Sequence, residues 1–465
     1  MRINFSRFLF AQSKTIGFST VLLAFSYGAS RVLGVVRDRL LVGSLPADQA
    51  DVYFAAFRVP DLLYALFVLG GISAVFLPLF SQEMEKGKDE AWNFASRLLH
   101  ILLLLAGACS IALFFLMPWL VAFVAPGFSE MQQGQLAMLS RVLLLSPILF
   151  GVSSIFSGVL QYFNKFFFYA LAPIFYNVGI IVGILFLLPR WGLAGLGVGV
   201  VAGVALHILV QMPSAFRAGF SWKPKFGMDQ TTWKAVRLAL PRTLGTGVYQ
   251  INLVAMTAFA SLISTGSITI FSVADSLQQV PASLIGVSVA LAVFPLLSKL
   301  AAQGDKEKFI QMTLSSFRKI ILFTLPSAAV ILLLRELIVR VLYQSGEFSA
   351  DDVVLTGAAL GVFSFGIIFQ SLIPLLTRAF FALQDTKTPT WIGGACVILN
   401  IGLAFLLVRF FSSLAVAQAG GNILQSREAV VIALPLALVV SGGVQAMLLA
   451  ILLKRRLRNW RKSGR

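Results

Sequence analysis

The sequence predicts an all-α integral membrane protein with about twelve transmembrane helices, in two six-helix lobes related by a parallel, pseudo-twofold repeat. The first observation is composition: of 465 residues, 58% are hydrophobic and 12% are charged, against about 25% charged in an average soluble domain. The second is that apolar runs of about 20 residues, enough to cross roughly 30 Å of hydrocarbon, recur along the chain. The third is an internal repeat of short motifs.

Twelve apolar runs are long enough to be transmembrane helices. They lie near residues 15–44, 52–80, 98–123, 136–161, 167–188, 192–213, 233–263, 267–298, 319–342, 353–383, 389–409 and 429–453. The first run follows Arg2, Arg7 and Lys14, as in a signal peptide, but its apolar core is too long for one, so we expect a retained helix. The intervening segments are too short to contain a soluble catalytic domain.

Lysine and arginine are distributed unevenly between alternate loops. With a cytoplasmic N-terminus, the outer loops contain only Arg190, Arg409 and Arg427, and the inner segments contain far more cations, including the tail from Lys454 to Arg465. The positive-inside rule therefore places both termini in the cytoplasm. Topology also explains the formal net charge of +18, so we expect no nucleic-acid partner.

Few residues suit redox, metal or nucleotide chemistry. Cys109 and Cys396 fall in apolar helices, and His100 and His207 lie far apart in the sequence, so we expect no disulfide framework and no metal site. The sequence has no Gly-x-x-x-x-Gly-Lys-Ser/Thr loop for a nucleotide. The buried acidic residues form no paired-carboxylate motif. We therefore do not expect an enzyme.

Short motifs recur in the same order in the two halves. Arg31-Val32-Leu33-Gly34 returns as Arg242-Thr243-Leu244-Gly245, Gly127-Phe128-Ser129 as Gly346-Glu347-Phe348-Ser349, Pro60 and Pro78 as Pro281 and Pro295, and Asn177 as Asn400, at offsets of 211 to 223 residues. Six helices in each half give both halves the same orientation. The predicted lobes are residues 1–222 and 223–465, with alternating access around a site at their interface, and with kinks at the repeated prolines.

Arginines inside the first two apolar runs are the strongest indication of function. Arg31, Arg37 and Arg58 lie at middle or outer depth; a cation at the bilayer centre costs about 2.5–3.5 kcal/mol, so such residues usually face a water-filled cavity or a partner. Guanidinium groups hold phosphate oxygens bidentately and keep their charge when desolvated, which suits a diphosphate. The alternative is structural pairing with nearby carboxylates: Arg37 with Asp38 or Asp51, and Arg58 with Asp61.

Several segments together resemble the signature of one known family. In the first half they are Ser30-Arg31-Val32-Leu33-Gly34-Val35-Val36-Arg37-Asp38, Asp51-Val52-Tyr53-Phe54-Ala55-Ala56-Phe57-Arg58-Val59-Pro60-Asp61-Leu62-Leu63 and Ala74-Val75-Phe76-Leu77-Pro78. In the second half they are Ala274-Asp275, Val341-Leu342-Tyr343-Gln344-Ser345-Gly346-Glu347-Phe348 and the run from Arg378 to Pro389. The chain resembles the MurJ (MviN) lipid II flippases of the MOP exporter superfamily over nearly its whole length.

The resemblance implies transport of a polyprenyl-diphosphate-linked glycan, most often the peptidoglycan precursor lipid II, from the cytoplasmic to the outer leaflet of the bacterial inner membrane. It implies cavity residues that bind this substrate: Arg31, Arg37, Asp38, Asp51 and Arg58, with Asp61, Tyr64, Arg242, Asp275, Ser276 and Arg378 as secondary candidates. The expected partners are the lipid substrate and membrane lipids, and we expect a monomer that serves cell wall biogenesis and cell shape.

The chain departs from the family's pattern at three positions. Tyr64 and Ser276 stand where arginines are typical, and Leu69 stands where glutamate is typical. Typical members also have two further helices that line a groove for the lipid tail. The alternatives are a flippase for another lipid-linked oligosaccharide and a MATE-like ion-coupled exporter. We expect no resident cofactor, and coupling to Na⁺ or H⁺ is an open alternative.

Overall fold

The computed structural model describes residues 16–223, 227–417 and 430–459, and it confirms the all-α class. Within these ranges the elements are helices, and nine helical segments are long and apolar enough to cross a membrane. Five of the cations used for orientation, Arg2, Arg7, Lys14, Lys225 and Arg427, lie outside the described residues, as does the tail beyond Asn459.

The first compact unit, Met1–Val254, contains nine complete helices. Counted among the described residues, they are α1 Ile16–Ser44, α2 Ala47–Ala56, α3 Arg58–Tyr64, α4 Ser73–Lys86, α5 Lys88–Val124, α6 Glu130–Leu143, α7 Leu145–Tyr162, α8 Phe166–Val182 and α9 Leu188–Arg217. A π-helical segment, Ala65–Ile72, joins α3 to α4, and a second, Gly183–Leu187, joins α8 to α9. Helix α10, Gln230–Ser261, begins in this unit.

The second compact unit, Ala255–Arg465, contains the end of α10 and the following helices. They are α11 Ser267–Pro281, α12 Ser288–Ala302, α13 Lys306–Tyr343, α14 Ala350–Ala382, α15 Lys387–Ala417 and α16 Ala433–Asn459. A π-helical segment, Ala282–Val287, joins α11 to α12. Over the described residues, each of the twelve predicted spans therefore coincides with a helix or with a run of helices joined end to end.

Two features of the predicted repeat recur as local structure. Ser129 begins α6 and Ser349 begins α14, and each side chain forms a capping box with the third residue of its helix. Such a box satisfies backbone N–H groups that have no partner inside the helix. The π-helical segments also recur, one directly after Pro281 and one shortly after Pro60. Irregular helix thus follows Pro60 and Pro281, whereas Pro78 and Pro295, where kinks were also predicted, lie inside the α-helices α4 and α12.

The compact units and the predicted lobes divide the chain at different places. The units meet inside α10, at Val254 and Ala255, whereas the lobes 1–222 and 223–465 meet in the linker before it. The predicted lobes follow the sequence repeat, whereas the units reflect compactness. The units therefore do not test the lobe boundaries.

The beginning of α10 is bound to the first unit by two threonines. Thr243 Oγ1 donates to the Leu66 carbonyl at 2.9 Å, and Thr246 Oγ1 donates to the Ala65 carbonyl at 3.1 Å. Both carbonyls belong to a π-helical segment, where the regular hydrogen-bond pattern of the helix is interrupted. The threonines supply hydrogen bonds at that interruption, which explains why the unit extends into α10.

Helices α8 and α9 pack against each other through glycines. A Cβ atom added to Gly179 would lie 2.2 Å from Gly203 Cα, and one added to Gly183 would lie 2.7 Å from Gly199 Cα. Because the partner number falls as the residue number rises, the two helices run antiparallel. Near the start of α9 the chain turns at Gly192, whose φ is +57°, a sign of φ that glycine adopts without strain. The two helix backbones are therefore in contact, because glycine has no side chain to keep them apart.

Residues that precede α10 form a structure that we call the linker anchor: Phe220, Trp222, Lys223 and Asp229, with their partners on α5. The Phe220 ring is 5.8 Å from the Trp92 ring, Trp222 Nε1 donates to His100 Nε2 at 3.1 Å, and Lys223 Nζ pairs with Asp89 at 2.7 Å. Arg97 forms an ion pair with Asp229. The described part of the linker is therefore fastened to the first unit.

Candidate functional site

Helix α1 carries an ion pair that contacts α8. Arg37 Nε donates to Asp38 Oδ1 at 2.8 Å, and Arg37 Nη2 lies 2.7 Å from the same oxygen. On its other side, Arg37 Nη1 donates to Asn177 Oδ1 at 3.0 Å. The Arg37 and Asp38 side chains are 23% and 14% exposed. The predicted structural pairing of Arg37 with Asp38 is thus present, and a neutral amide supplies a third contact.

Asn177 joins the two helices at this point. Its side chain is 5% exposed. Its amide nitrogen donates to the carbonyl and hydroxyl oxygens of Ser30, both at 3.3 Å, and to the Pro173 carbonyl at 3.1 Å. From the sequence, Asn177 is recognised only as one partner of a repeat. A polar residue inside an apolar helix was the available signal.

Aromatic side chains surround the same pair. Tyr53 and Tyr176 are close enough to Arg37 to interact with it electrostatically. The Tyr53 ring is buried and packs on Phe57 at 5.0 Å, and the Tyr176 ring lies 5.4 Å from the Phe150 ring. The partly exposed guanidinium therefore lies near both apolar rings and polar hydroxyls.

Arg31 lies apart from this pair on α1. Its side chain is exposed, its Nε and Nη2 donate to the Tyr27 hydroxyl at 3.2 and 2.9 Å, and its guanidinium lies 5.2 Å from the Tyr27 ring centre. Six residues of α-helix turn the side chain about 120° away from Arg37. The structure therefore places these two predicted cavity residues on different sides of one helix.

The remaining first-half candidates lie on α2 and α3. Asp51 is buried in α2, with 1% exposure. Arg58 and Asp61, both half-buried in α3, interact electrostatically. The Tyr64 ring packs on Phe150 at 5.1 Å, so an aromatic contact occupies the position where the family pattern has an arginine.

The second-half candidates with described side chains bond within their own helices. Asp275 accepts hydrogen bonds from Gln278 at 2.9 Å and Gln279 at 2.6 Å. Ser276 Oγ donates to the Val273 carbonyl at 2.8 Å, and Arg378 Nη1 lies 3.5 Å from the Pro374 carbonyl. Arg242 belongs to α10, but its side chain lies outside the described residues.

A second polar cluster in the first unit was not predicted. Ser157 Oγ donates to Gln211 Oε1 at 2.8 Å, Gln211 Nε2 donates to Ser153 Oγ at 2.8 Å, and Ser153 Oγ lies 2.7 Å from His207 Nδ1. The His207 ring packs against the Phe150 ring at 5.5 Å. Each of these bonds joins α7 to α9, so the cluster ties two helices together as interhelical hydrogen bonds in membranes do.

The cysteines and acidic residues form no metal site in the part of the chain that the structure describes. Within that part, no group of three or more His, Cys, Asp and Glu side chains is arranged to hold a metal ion. Cys109 and Cys396 are free.

Solved structures with the same fold define the class. A lipid II flippase MurJ in an inward closed conformation superimposes with a TM-score of 0.76, at 24% identity, over 93% of this chain and 87% of its own. An inward-facing MATE family transporter of the MOP superfamily superimposes with a TM-score of 0.75, at 15% identity, over 94% and 96%. The chain thus has the all-α fold that these two membrane proteins share. The profile of the family described as lipid II flippase MurJ matches residues 47–464, and the chain belongs to this family.

Curated relatives agree with the family assignment. A probable lipid II flippase MurJ from Rhizobium tropici is 32% identical over 403 residues, which cover 84% of this chain and 75% of the relative. Another from Haemophilus influenzae is 31% identical over 413 residues, covering 84% and 81%. The resemblance drawn from the sequence motifs is confirmed.

Proposed function

We propose that this chain moves lipid II from the cytoplasmic to the outer leaflet of the bacterial inner membrane. One observation supports this most directly: in a chain of the lipid II flippase MurJ family, the Arg37 guanidinium is held between α1 and α8 by Asp38 and Asn177. A guanidinium suits the diphosphate that links glycan to lipid, because it keeps its charge when partly dehydrated.

Alternating access is the proposed mechanism, with Arg37 as the residue that binds the diphosphate and Arg31 as a separate substrate-binding residue on another side of α1. Outward movement of an anionic headgroup is favoured by an inside-negative potential, by about 2.3 kcal/mol per charge at 100 mV. The membrane potential, or a gradient of Na⁺ or H⁺, is the proposed energy source. Its contribution can be measured by dissipating each gradient separately in a translocation assay.

We further propose that both termini are cytoplasmic, that the protein acts as a monomer without a nucleic-acid partner, and that it catalyses no chemical reaction. The positive-inside distribution of lysine and arginine supports the orientation. Membership of a transporter family supports the absence of catalysis.

The decisive experiment is complementation combined with lipid profiling. Wild-type protein is expected to restore growth of cells depleted of their own lipid II flippase, whereas Arg31→Ala is expected to fail at an equal protein level. Arg190→Ala is the matched control, because Arg190 is exposed and bonds only weakly, at 3.5 Å, to the Phe186 carbonyl. It is expected to complement fully.

Lipid profiling of the native organism after depletion identifies the cargo. Accumulation of lipid II on the cytoplasmic side supports the proposal. Accumulation of a different lipid-linked glycan contradicts the substrate and favours another oligosaccharide flippase. Normal lipids together with raised sensitivity to cationic drugs would favour a MATE-like exporter.

A further inference from the structure

We propose that Asn177 is a positioning residue for Arg37, and that it holds the guanidinium in the orientation in which it binds the diphosphate of the lipid cargo. The inference rests on the proposed function. It concerns a residue on α8 that contacts Arg37 from 140 positions away in the sequence.

The hydrogen bonds of Asn177 fix the orientation of its amide. Ser30 and Pro173 present carbonyl oxygens, which only accept, so the amide nitrogen of Asn177 must face them. The amide oxygen then faces Arg37, which only donates. Turning the amide over would place an oxygen against two carbonyls and N–H groups against a cation. An asparagine side chain can donate to the two carbonyls and accept from Arg37 at the same time. Aspartate has no donor for the carbonyls, and leucine has neither group.

The contacts made by Arg37 leave part of its guanidinium available. Of its five N–H donors, Nε and one N–H of Nη2 face Asp38, and one N–H of Nη1 faces Asn177. One donor remains on each Nη nitrogen, and these donors can bind phosphate oxygens. Asp38 holds the edge of the guanidinium formed by Nε and Nη2, and Asn177 holds Nη1. Together the two contacts fix the orientation of the guanidinium plane.

The repeat-related residue in the second half has a different environment. Asn400 is equally buried, at 1% exposure, but its amide nitrogen lies 3.5 Å from Met256 Sδ and its oxygen accepts from Ser441 Oγ at 3.3 Å. The offset of 211 residues that relates Arg31 to Arg242 places Val248 at the position of Arg37. A buried asparagine thus recurs in both halves, and the described contacts of Asn400 are with a thioether and a hydroxyl.

Helix α8 provides a firm support for this amide. Gly179 lies two positions after Asn177 and touches the backbone of Gly203 on α9. An amide held by a helix whose backbone rests on its neighbour cannot follow Arg37 if the guanidinium rotates. Positioning sites need such support, since small displacements of a binding group weaken recognition.

The test is a double-mutant cycle on lipid affinity. Full-length wild type, Asn177→Ala, Arg37→Ala and the double variant are purified in detergent, and the binding of lipid II, undecaprenyl diphosphate and uncharged undecaprenol in mixed micelles is measured. We expect Asn177→Ala to weaken binding of both diphosphate lipids about ten-fold, the effect of losing a hydrogen bond to a charged group. Undecaprenol binding should not change. In the Arg37→Ala background, Asn177→Ala should have no further effect.

Two controls separate positioning from helix packing. Ser30→Ala removes one acceptor of the Asn177 amide and keeps the contact with Arg37, so it should retain diphosphate affinity. Asn177→Asp keeps an oxygen against Arg37 but adds a second negative charge, so it should weaken diphosphate binding more than alanine does. This variant serves as the test if Asn177→Ala fails to fold.

Each other outcome has a definite meaning. Equal losses for undecaprenol and for the diphosphate lipids, or an equal loss in the Arg37→Ala background, overturn the inference in favour of simple packing. If wild type binds undecaprenyl diphosphate with the expected cycle but does not bind lipid II, the proposed function is wrong and the inference stands. If wild type binds neither diphosphate lipid, both are wrong.

Discussion

Two groups of ion pairs in the first unit differ in what they connect. Arg37 and Asp38 are sequence neighbours on α1. In the linker anchor, Arg97 pairs with Asp229 and Lys223 pairs with Asp89, each across more than a hundred residues. A pair between distant residues joins elements that come together only in the folded chain, whereas a pair between neighbours does not require the fold. The linker anchor therefore has a structural explanation, which the Arg37–Asp38 pair by itself lacks.

Structural and functional charges in a membrane protein differ in the partners that hold them. A structural charge is matched by an opposite charge from another element, as Arg97 is by Asp229. Arg37 is matched locally and by a neutral amide, which leaves guanidinium donors for a third group. The comparison predicts large functional and small structural effects at Arg37, and the reverse at the linker anchor.

The largest effect is expected from Arg37→Lys. Lysine keeps the positive charge but lacks the planar fork that contacts Asp38 and Asn177 together. Translocation of fluorescent lipid II in proteoliposomes should fall at least about ten-fold, with little change in the unfolding midpoint. Arg190→Lys is the control, and it should translocate normally. A translocation rate close to that of wild type in Arg37→Lys would contradict the functional role of the Arg37 guanidinium.

Arg97→Ala should give the largest loss of stability. The Arg97 and Asp229 side chains are 22% and 35% exposed, between the buried and the fully solvated cases. Leaving Asp229 without its cation should lower the free energy of unfolding by about 1–2 kcal/mol. Thermal unfolding in detergent measures this, and protease cleavage within residues 218–229 reports release of the linker. Translocation per folded molecule should change less than in Arg37→Lys.

The acid side of the stability profile should depend on Asp229. Burial opposes the shift, but hydrogen bonds from Thr232 and the charge of Arg97 lower the pKa of Asp229 below its usual range. A lowered pKa in the folded state stabilises the protein above the unfolded-state pKa, and this stabilisation is lost as the pH falls through the folded-state value. The difference in unfolding midpoint between wild type and Asp229→Asn should therefore shrink between pH 6 and about pH 3. A constant difference would contradict the ion pair.

Lys223→Ala should have the smallest effect. Asp89 is 83% exposed, and ion pairs between solvated side chains contribute about 0–1 kcal/mol and are screened by salt. Unfolding at low and high salt should show a small difference that disappears at high salt. If Lys223→Ala lost as much stability as Arg97→Ala, solvent exposure would not predict how much each ion pair stabilises the linker anchor.

The fold could be predicted from the sequence because its signals are local and repeated. Apolar runs predict the helices, and the repeated motifs predict two related halves. The capping boxes at Ser129 and Ser349 show that one pair of repeated motifs has the same local structure. The π-helical segment Ala65–Ile72 escaped prediction. An extra residue within a helical turn leaves no clear trace in hydrophobic periodicity.

The site could be predicted only in part, for a related reason. Arg37 and Asp38 are adjacent, so their pairing follows from the sequence. Asn177 comes to them through the packing of α1 on α8, which one sequence does not encode locally. Asp275 shows an opportunity that was missed: Gln278 and Gln279 follow at helical spacings of three and four residues, where side chains of one helix meet.

The glycine contact between α8 and α9 bears on how the protein is made. Helices α8 and α9 form a hairpin within residues 166–217. The glycine contacts that join them, Gly179 with Gly203 and Gly183 with Gly199, therefore link residues that are close in the sequence. Short-range contacts form quickly and need no distant partner, and chains begin to fold while synthesis continues. The hairpin can therefore close in the membrane once residue 217 has been inserted, while the second half is still on the ribosome. Asn177 would then be in place before any cargo arrives.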